Sequence, residues 1–190
     1  MCFKATSFNI PKRLLSTNIV IAPSVIELHP LKISSNAIFI GSKNISIGNN
    51  VRIDRDSIIV TDDIKLNDNN YSVENSKFSE KRGTLIIEDE VRINARSSIY
   101  GYGGVRIEKY SVLSESTKIF SLTHIPNDIN DPKKQIYIKH SDNYKDTPSL
   151  DSPVVIGENS FVGVNCVFFP GTFIGKNSFV APCSVVKNQF

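Results

Sequence analysis

The chain has 190 residues, a formal net charge of +3 and an isoelectric point near 8.7, and this length suffices for one domain with a sizeable core. Its 40% hydrophobic and 22% charged residues are typical of a soluble globular protein, and the small basic excess suits a phosphate-bearing small ligand better than a nucleic acid. The chain contains no run of about 18 apolar residues, which a transmembrane helix would need. The N-terminus also has no apolar core of signal-peptide length. We therefore expect a cytoplasmic protein.

The first 20 residues show no repeat, and we interpret them as an N-terminal cap or arm. Six-residue units begin imperfectly from residue 21, with IAPSVI at Ile21 and ISSNAI at Ile33. The register slips by one residue after Ile40 and then becomes regular. The first regular units open on Ile47, Ile53 and Ile59.

Two long polar stretches interrupt the repeat, at about residues 62–84 and 124–153. Between them the units open on Ile87, Ile93, Ile99, Ile107, Leu113 and Ile119, with two extra residues in the run GYGG at 101–104. Structureless segments of this length are uncommon in compact domains unless they are used. We therefore expect both excursions to form walls of a functional site.

The stretch 156–186 is the most regular part of the chain. Its units open on apolar residues, at Ile156, Val162, Phe168, Ile174, Val180 and Val186. Their fifth positions are all small, at Ser160, Cys166, Thr172, Ser178 and Ser184. Because a helix repeats every 3.6 residues and a half-buried strand every two, a period of six fits neither alone.

A solenoid explains the period of six. Each unit forms one short side of a coil, three units complete a triangular coil of 18 residues, and coils stack at strand spacing, about 4.8 Å. We therefore predict an all-β fold, a parallel β-helix over residues 21–190 with the two excursions as loops. Cys166 lies at a small inward position, which predicts a buried thiol, and the three cysteines have no metal-type spacing.

The run IGENSFVGVNCVFFPGTFIGKNSFVAPCSVV resembles the hexapeptide-repeat acyltransferases, whose domain is a left-handed parallel β-helix. The resemblance covers roughly residues 40–187, and the run is similar to the segment of galactoside, maltose and virginiamycin-type acetyltransferases and of the O-acetyltransferases of capsules and O-antigens. It implies acetyl-CoA as the co-substrate. It also implies a homotrimer whose active sites lie between subunits.

The resemblance assigns two catalytic residues. His124 follows the last unit before the second excursion, in the motif SLTHIP, and would be the general base that removes a proton from the acceptor. Asn94, one coil earlier, would bind near the reacting group. Each residue also has a structural alternative. His124 could be a loop histidine at a coil corner, and Asn94 could serve a turn that needs left-handed backbone angles.

Four further residues match positions that contact the cofactor in the family. Gly163 and Ala181 are small residues where the pantetheine arm would pass, although small residues also serve the repeat itself. Phe161 stands where the family usually has tryptophan and would present an apolar face to cofactor or acceptor. Lys187 would meet the coenzyme A phosphates as a point charge, or be a solvated tail lysine.

The run GYGG supplies the candidate acceptor-binding residues Tyr100 and Tyr102. Tyr102 replaces an acidic residue of the galactoside enzymes, so a galactoside acceptor does not follow. Both tyrosines could stack on a sugar ring, or lie exposed in a glycine-rich turn. Asp128 could orient the imidazole of His124, or it could be an ordinary turn aspartate. His29 and His140 have no spacing that predicts a metal site.

These residues favour an acetyl-CoA-dependent O-acetyltransferase acting on a sugar hydroxyl, of a surface polysaccharide or its precursor. The first alternative is an N-acetyltransferase acting on an amino-sugar nucleotide. That subfamily usually carries an N-terminal Rossmann-like domain, and none is visible in this sequence. The second alternative is a non-catalytic β-helix that serves as a structural or binding module.

Overall fold

The computed structural model describes residues 19–21, 26–28, 31–41, 44–61, 70–72, 81–125, 131, 133 and 149–187. These residues form 22 short strands and no α-helix. Three sheets form the faces of a triangular prism, and a fourth, small sheet lies outside it. No helix in this described part of the chain is long and apolar enough to cross a membrane.

Each face of the prism stacks strands from successive coils. Sheet A contains, in spatial order, β20 (Phe173–Ile174), β17 (Val154–Ile156), β12 (Val105–Ile107), β9 (Leu85–Ile87) and β5 (Ile45–Ile47). Sheet B contains β1 (Ile19–Ile21), β4 (Ile38–Ile40), β7 (Ile58–Val60), β11 (Ser98–Tyr100), β14 (Lys118–Phe120), β19 (Val167–Phe168) and β22 (Val185–Val186). Sheet C contains β2 (Ile26–Leu28), β3 (Leu31–Ile33), β6 (Arg52–Ile53), β10 (Arg92–Ile93), β13 (Val112–Leu113), β18 (Phe161–Val162) and β21 (Phe179–Val180).

The chain visits sheets C, B and A in turn, and from β3 onward all strands within these sheets pair in parallel. We call the turn from sheet C to sheet B the C/B corner, and the turn from sheet B to sheet A the B/A corner. The predicted parallel β-helix is therefore confirmed. Its sixth coil is described as far as its sheet-B strand.

The inward residues of the repeat form the core. Ile53, Ile93, Leu113 and Val162 are direct neighbours in sheet C, and each is fully buried. Burying such an aliphatic side chain contributes roughly 1.5–3 kcal/mol. Cys166 is fully buried, as predicted, and its thiol donates to the carbonyl of Ala181 at 3.1 Å.

The corners impose a second pattern, at the fourth position of the units. Eleven non-glycine residues of the described chain have φ between 53° and 64°, and five of them are asparagines, at Asn36, Asn50, Asn159, Asn165 and Asn177. Asparagine tolerates this left-handed conformation better than most residues. Asn159 also donates to the side chain of Asn177 on the next coil at 2.9 Å, so the stacked corners hydrogen-bond to each other.

The N-terminal end of the prism differs from the coils predicted to begin at residue 21. β2 runs antiparallel to β3, and β1 runs antiparallel to β4. The described residues 19–21 and 26–28 therefore cover the first coil as an antiparallel cap, and parallel stacking begins at β3. This arrangement pairs strand edges that an open end would expose.

The two excursions meet in the small sheet. It consists of β15 (Leu122–His124), β16 (Ser149–Asp151) and β8 (Asn70–Ser72), in that spatial order. β16 pairs antiparallel with β15 and parallel with β8. Parts of what sequence reasoning treated as two separate polar loops are thus joined by backbone hydrogen bonds at the B/A corner.

Candidate active site

The B/A corner holds the points at which both excursions leave the prism. Between them lies the turn of residues 101–104, whose first residue, Gly101, donates to the carbonyl of Val60 at 2.7 Å. On the far side, Ser121 donates its main-chain N–H to the carbonyl of Tyr100 at 3.0 Å. The glycine-rich turn is therefore enclosed between the bases of the two excursions.

Ser121 fixes the start of the second excursion. Its fully buried hydroxyl accepts from the main-chain N–H of Gly103 and donates to the carbonyl of Tyr100, both at 2.8 Å. Its own carbonyl accepts from Ser152 N at 3.0 Å, which ties the exit of the excursion to its return. This contact anchors the three residues that lead to His124.

His124 is the last residue of β15, and its side chain is exposed. It lies opposite the buried Ser149 of β16. Sequence reasoning placed it at the start of a loop, whereas the structure holds it on the edge strand of the small sheet. An exposed imidazole on a strand that backbone bonds fix can meet a substrate without a change of fold.

A buried carboxylate lies on the same small sheet. Asp151 of β16 is opposite Leu122 and is 4% exposed. Arg82, from the end of the first excursion, brings its Nε to 3.4 Å from the Asp151 carboxylate. Nε and Nη2 of Arg82 are buried and make no hydrogen bond to the part of the protein that is described.

A row of aromatic rings runs along the outer face of sheet B toward its last coils. Tyr100 stacks on Phe120 with ring centroids 5.2 Å apart, and Phe120 contacts Phe169 at 6.1 Å. Phe169 N donates to the carbonyl of Val186 at 2.9 Å. Lys187, which follows Val186, is exposed. The row thus runs from Tyr100, whose carbonyl accepts from Ser121, to the coil next to the one that carries Lys187.

The other predicted residues lie at the opposite end of the sheet-B strands. Asn94 follows β10 at the C/B corner, and its main-chain N–H donates to Leu113 O at 2.9 Å. Gly163 and Ala181 occupy the same corner on later coils. A Cβ at Gly163 would come within 2.5 Å of Pro182 N, so coil stacking alone requires the glycine there.

Phe161 and Tyr102 occupy two further positions. Phe161 is 45% exposed on sheet C and stacks on Phe179 with centroids 5.8 Å apart. Tyr102 is half-buried within the glycine-rich turn. Among the predicted residues, the structure therefore gathers His124, Tyr100, Tyr102 and Lys187 along one corner, while Asn94, Gly163 and Ala181 share another corner and Phe161 a separate face.

Asp128, His29 and His140 lie outside the described residues. In the part of the chain that is described, no three residues among His, Cys, Asp and Glu are grouped to hold a metal ion. Sequence reasoning missed Ser121, Arg82, Asp151, Phe120 and Phe169. Phe120 and Phe169 could have been found by aligning coils, because each occupies the coil position of Tyr100, but the ion pair depends on the fold of the excursions.

Comparison with known proteins agrees with this geometry. The family described as the hexapeptide repeat of succinyl-transferase matches residues 153–185. A dTDP-4-amino-4,6-dideoxy-D-glucose acyltransferase of Escherichia coli is 29% identical over 167 residues, which cover 84% of this chain and 70% of that protein.

Solved structures of AntD, an N-acyltransferase from Bacillus cereus, have the same fold. One AntD variant in complex with dTDP-4-amino-4,6-dideoxyglucose and coenzyme A has a TM-score of 0.65 and 19% identity, covering 96% of this chain and 82% of that one. AntD with dTDP and 3-hydroxybutyryl-CoA has a TM-score of 0.62 and 21% identity, covering 97% and 81%. At this identity the likeness concerns the fold, a left-handed parallel β-helix.

The chain contains this hexapeptide repeat and is similar to acyltransferases over most of its length, and it is an acyltransferase. These matches agree with the resemblance found in the sequence. They favour the predicted alternative, transfer to an amino sugar, over transfer to a hydroxyl.

Proposed function

We propose that this protein transfers an acyl group from a coenzyme A thioester to the amino group of a nucleotide-linked amino sugar. The observation that carries the proposal is its relationship, over 84% of the chain, to an acyltransferase for dTDP-4-amino-4,6-dideoxy-D-glucose. The structural relative AntD is an N-acyltransferase seen with the same sugar nucleotide and coenzyme A. The hydroxyl acceptor that the sequence analysis favoured becomes the second choice.

The outer face of sheet B suits a long, partly apolar co-substrate. The aromatic row offers stacked rings to the pantetheine arm and the adenine, and Lys187 offers a positive charge to phosphates. The acyl end of the thioester would lie at the Tyr100 end of this row, toward His124. Gly163 and Ala181 stay in the proposal as residues of a facing subunit, beside which the arm would pass.

The proposed reaction needs a neutral amine. The amine nitrogen attacks the thioester carbonyl carbon, a C–N bond forms, and the carbonyl oxygen becomes an oxyanion. Collapse of this intermediate breaks the C–S bond and releases coenzyme A as a thiolate, which then takes up a proton. His124 is proposed to accept the proton that the nitrogen loses, a role suited to imidazole near neutral pH.

A homotrimer is part of the proposal, because the candidate residues occupy opposite ends of the sheet-B strands. Asn94 lies at the C/B corner and His124 beyond the B/A corner, so two neighbouring chains could bring them to one site. The outer face of sheet B also carries many apolar side chains. These are Ile38, Ile40, Ile58, Tyr100, Phe120, Val167, Phe169 and Val185.

The decisive experiment offers the purified protein acetyl-CoA and 3-hydroxybutyryl-CoA with two sugar nucleotides. One is dTDP-4-amino-4,6-dideoxyglucose, and the other is its matched analogue with a hydroxyl at carbon 4. We expect an amide product from the amino sugar, seen by mass spectrometry, and little ester from the analogue. Acylation of the hydroxyl analogue alone would contradict the proposal and restore the O-acetyltransferase interpretation.

A further inference from the structure

The strand that carries His124 is held by contacts outside the repeat. β15 is an edge strand of the small sheet, and β16 is its only partner among the described strands. Whatever fixes β16 therefore fixes the height and direction of His124 above the prism. Ser121 secures one end of β15 through Gly103, but the end at His124 depends on β16.

Asp151 gives β16 a side-chain contact with the first excursion, in addition to its backbone pairing with β8. It is 4% exposed, and an isolated buried carboxylate is strongly unfavourable. The guanidinium of Arg82 supplies the opposite charge, with Nε at 3.4 Å from the carboxylate. Arg82 in turn has its Nε and Nη2 buried beside that carboxylate, where they meet no other acceptor within the described residues.

We infer that Arg82 and Asp151 are a positioning pair that holds the His124 strand in its productive place. In strand β16, Asp151 lies two residues from Ser149, the cross-strand neighbour of His124. The pair thus connects the first excursion to the strand beside the proposed base. This inference rests on the proposed function of His124, but its structural part can be tested without catalysis.

The test compares Arg82→Ala, Arg82→Lys, Asp151→Asn and the double variant Arg82→Ala/Asp151→Asn. We expect kcat to fall by roughly tenfold to a hundredfold in the alanine and asparagine variants, with KM changed by less than about threefold, because misplacing a base mainly affects the transition state. Arg82→Lys should retain more activity. The double variant should be no worse than either single one, because both remove the same interaction.

Amide hydrogen exchange of residues 122–124 gives the second readout. It should become faster in Arg82→Ala and Asp151→Asn and stay unchanged in Arg106→Ala, a control whose ion pair with Glu88 is 2.7 Å long and whose arginine is as exposed as Arg82, 30% against 32%. Unchanged kcat and unchanged exchange would overturn the inference. Faster exchange throughout the prism would also overturn it, since the pair would then only stabilise the fold. If the native protein acylates no sugar, the proposed function fails while the exchange data still decide the role of the pair.

Discussion

The main-chain N–H of Gly103 donates to the hydroxyl of Ser121 at 2.8 Å, and the two residues are too close for any side chain between them. A Cβ added at Gly103 would lie 2.1 Å from Ser121 O and 3.0 Å from Ser152 N. Both atoms belong to the backbone at which the second excursion leaves and rejoins the prism. The glycine therefore sets where the His124 strand begins.

Gly103→Ala should displace this junction. We expect a loss of unfolding free energy of about 1–3 kcal/mol, as for overpacking in a core, together with reduced acyl transfer. Denaturant unfolding and turnover measure the two effects. Gly175→Ala is the matched control, because the added Cβ would meet only Ser178 Oγ at 3.8 Å, and it should leave both quantities nearly unchanged. Equal behaviour of the two variants would contradict the assignment.

Cys183 occupies a corner position with a φ of 61° and is exposed. Cys183→Asn should raise the unfolding free energy by up to about 1 kcal/mol, because asparagine tolerates the left-handed region better than other side chains. The measurement is the midpoint and slope of urea unfolding. Lys176→Asn, at a neighbouring corner residue outside that region, should give no gain. A gain in both would indicate an effect unrelated to backbone conformation.

Ile107 is fully buried in the middle of sheet A. Ile107→Ala should destabilise the protein by about 2–5 kcal/mol, because the stacked coils cannot close around the cavity. Ile86, which points outward from the neighbouring strand and is half-buried, provides the control. Ile86→Ala should lose much less stability. A comparable loss at both sites would show that the outer face of sheet A is covered in solution.

Lys187 ends the aromatic row, and its proposed partner is a phosphate of coenzyme A. Lys187→Ala should raise KM for acyl-CoA by about twofold to fivefold at low salt, with kcat preserved, because an exposed charge contributes little. The difference should shrink as salt rises. Lys176→Ala serves as the control. An equal rise in KM in that variant would show that the effect comes from the net charge of the protein and not from the position of Lys187.

Mixing two inactive variants tests whether one site uses residues from two chains. His124→Ala and Asn94→Ala should each be nearly inactive as pure proteins. After co-refolding, random trimers would regain up to about a quarter of native activity, since one interface in four would carry both native residues. No recovery would show that both residues act within one chain, and an active pure variant would show that the replaced residue is dispensable.

The prism was predictable because every coil packs the same kind of inward apolar residue at the same position of the repeat. Core residues such as Ile87, Ile93 and Ile99 recur every six positions, and the sequence shows this directly. A cap was predicted for the first 20 residues, but the antiparallel pairing of β1 and β2 was not, since the segment around Ile21 has the composition of a coil and its strand direction is set only by pairing with β3 and β4. Composition carries no information on strand direction.

The site was only partly predictable for a related reason. His124 and Tyr100 were found because they adjoin regular units. Arg82 and Asp151 were not, because their contact joins residues 69 positions apart (151 − 82), and Arg82 lies in a turn while Asp151 lies on a strand of only three residues. Such short polar strands show no hydrophobic period in the sequence, and they form only when they pair with their neighbouring strands.

The pairing of β8 with β16 has a consequence for how this enzyme can diversify. Each excursion supplies one strand that the other needs, so neither can be replaced independently without leaving unpaired backbone groups. Recombination with a relative that exchanged residues 62–83 alone would break the small sheet, whereas transfer of both segments together would preserve it. Acceptor preference in this fold should therefore be inherited, and engineered, as a linked pair of loops.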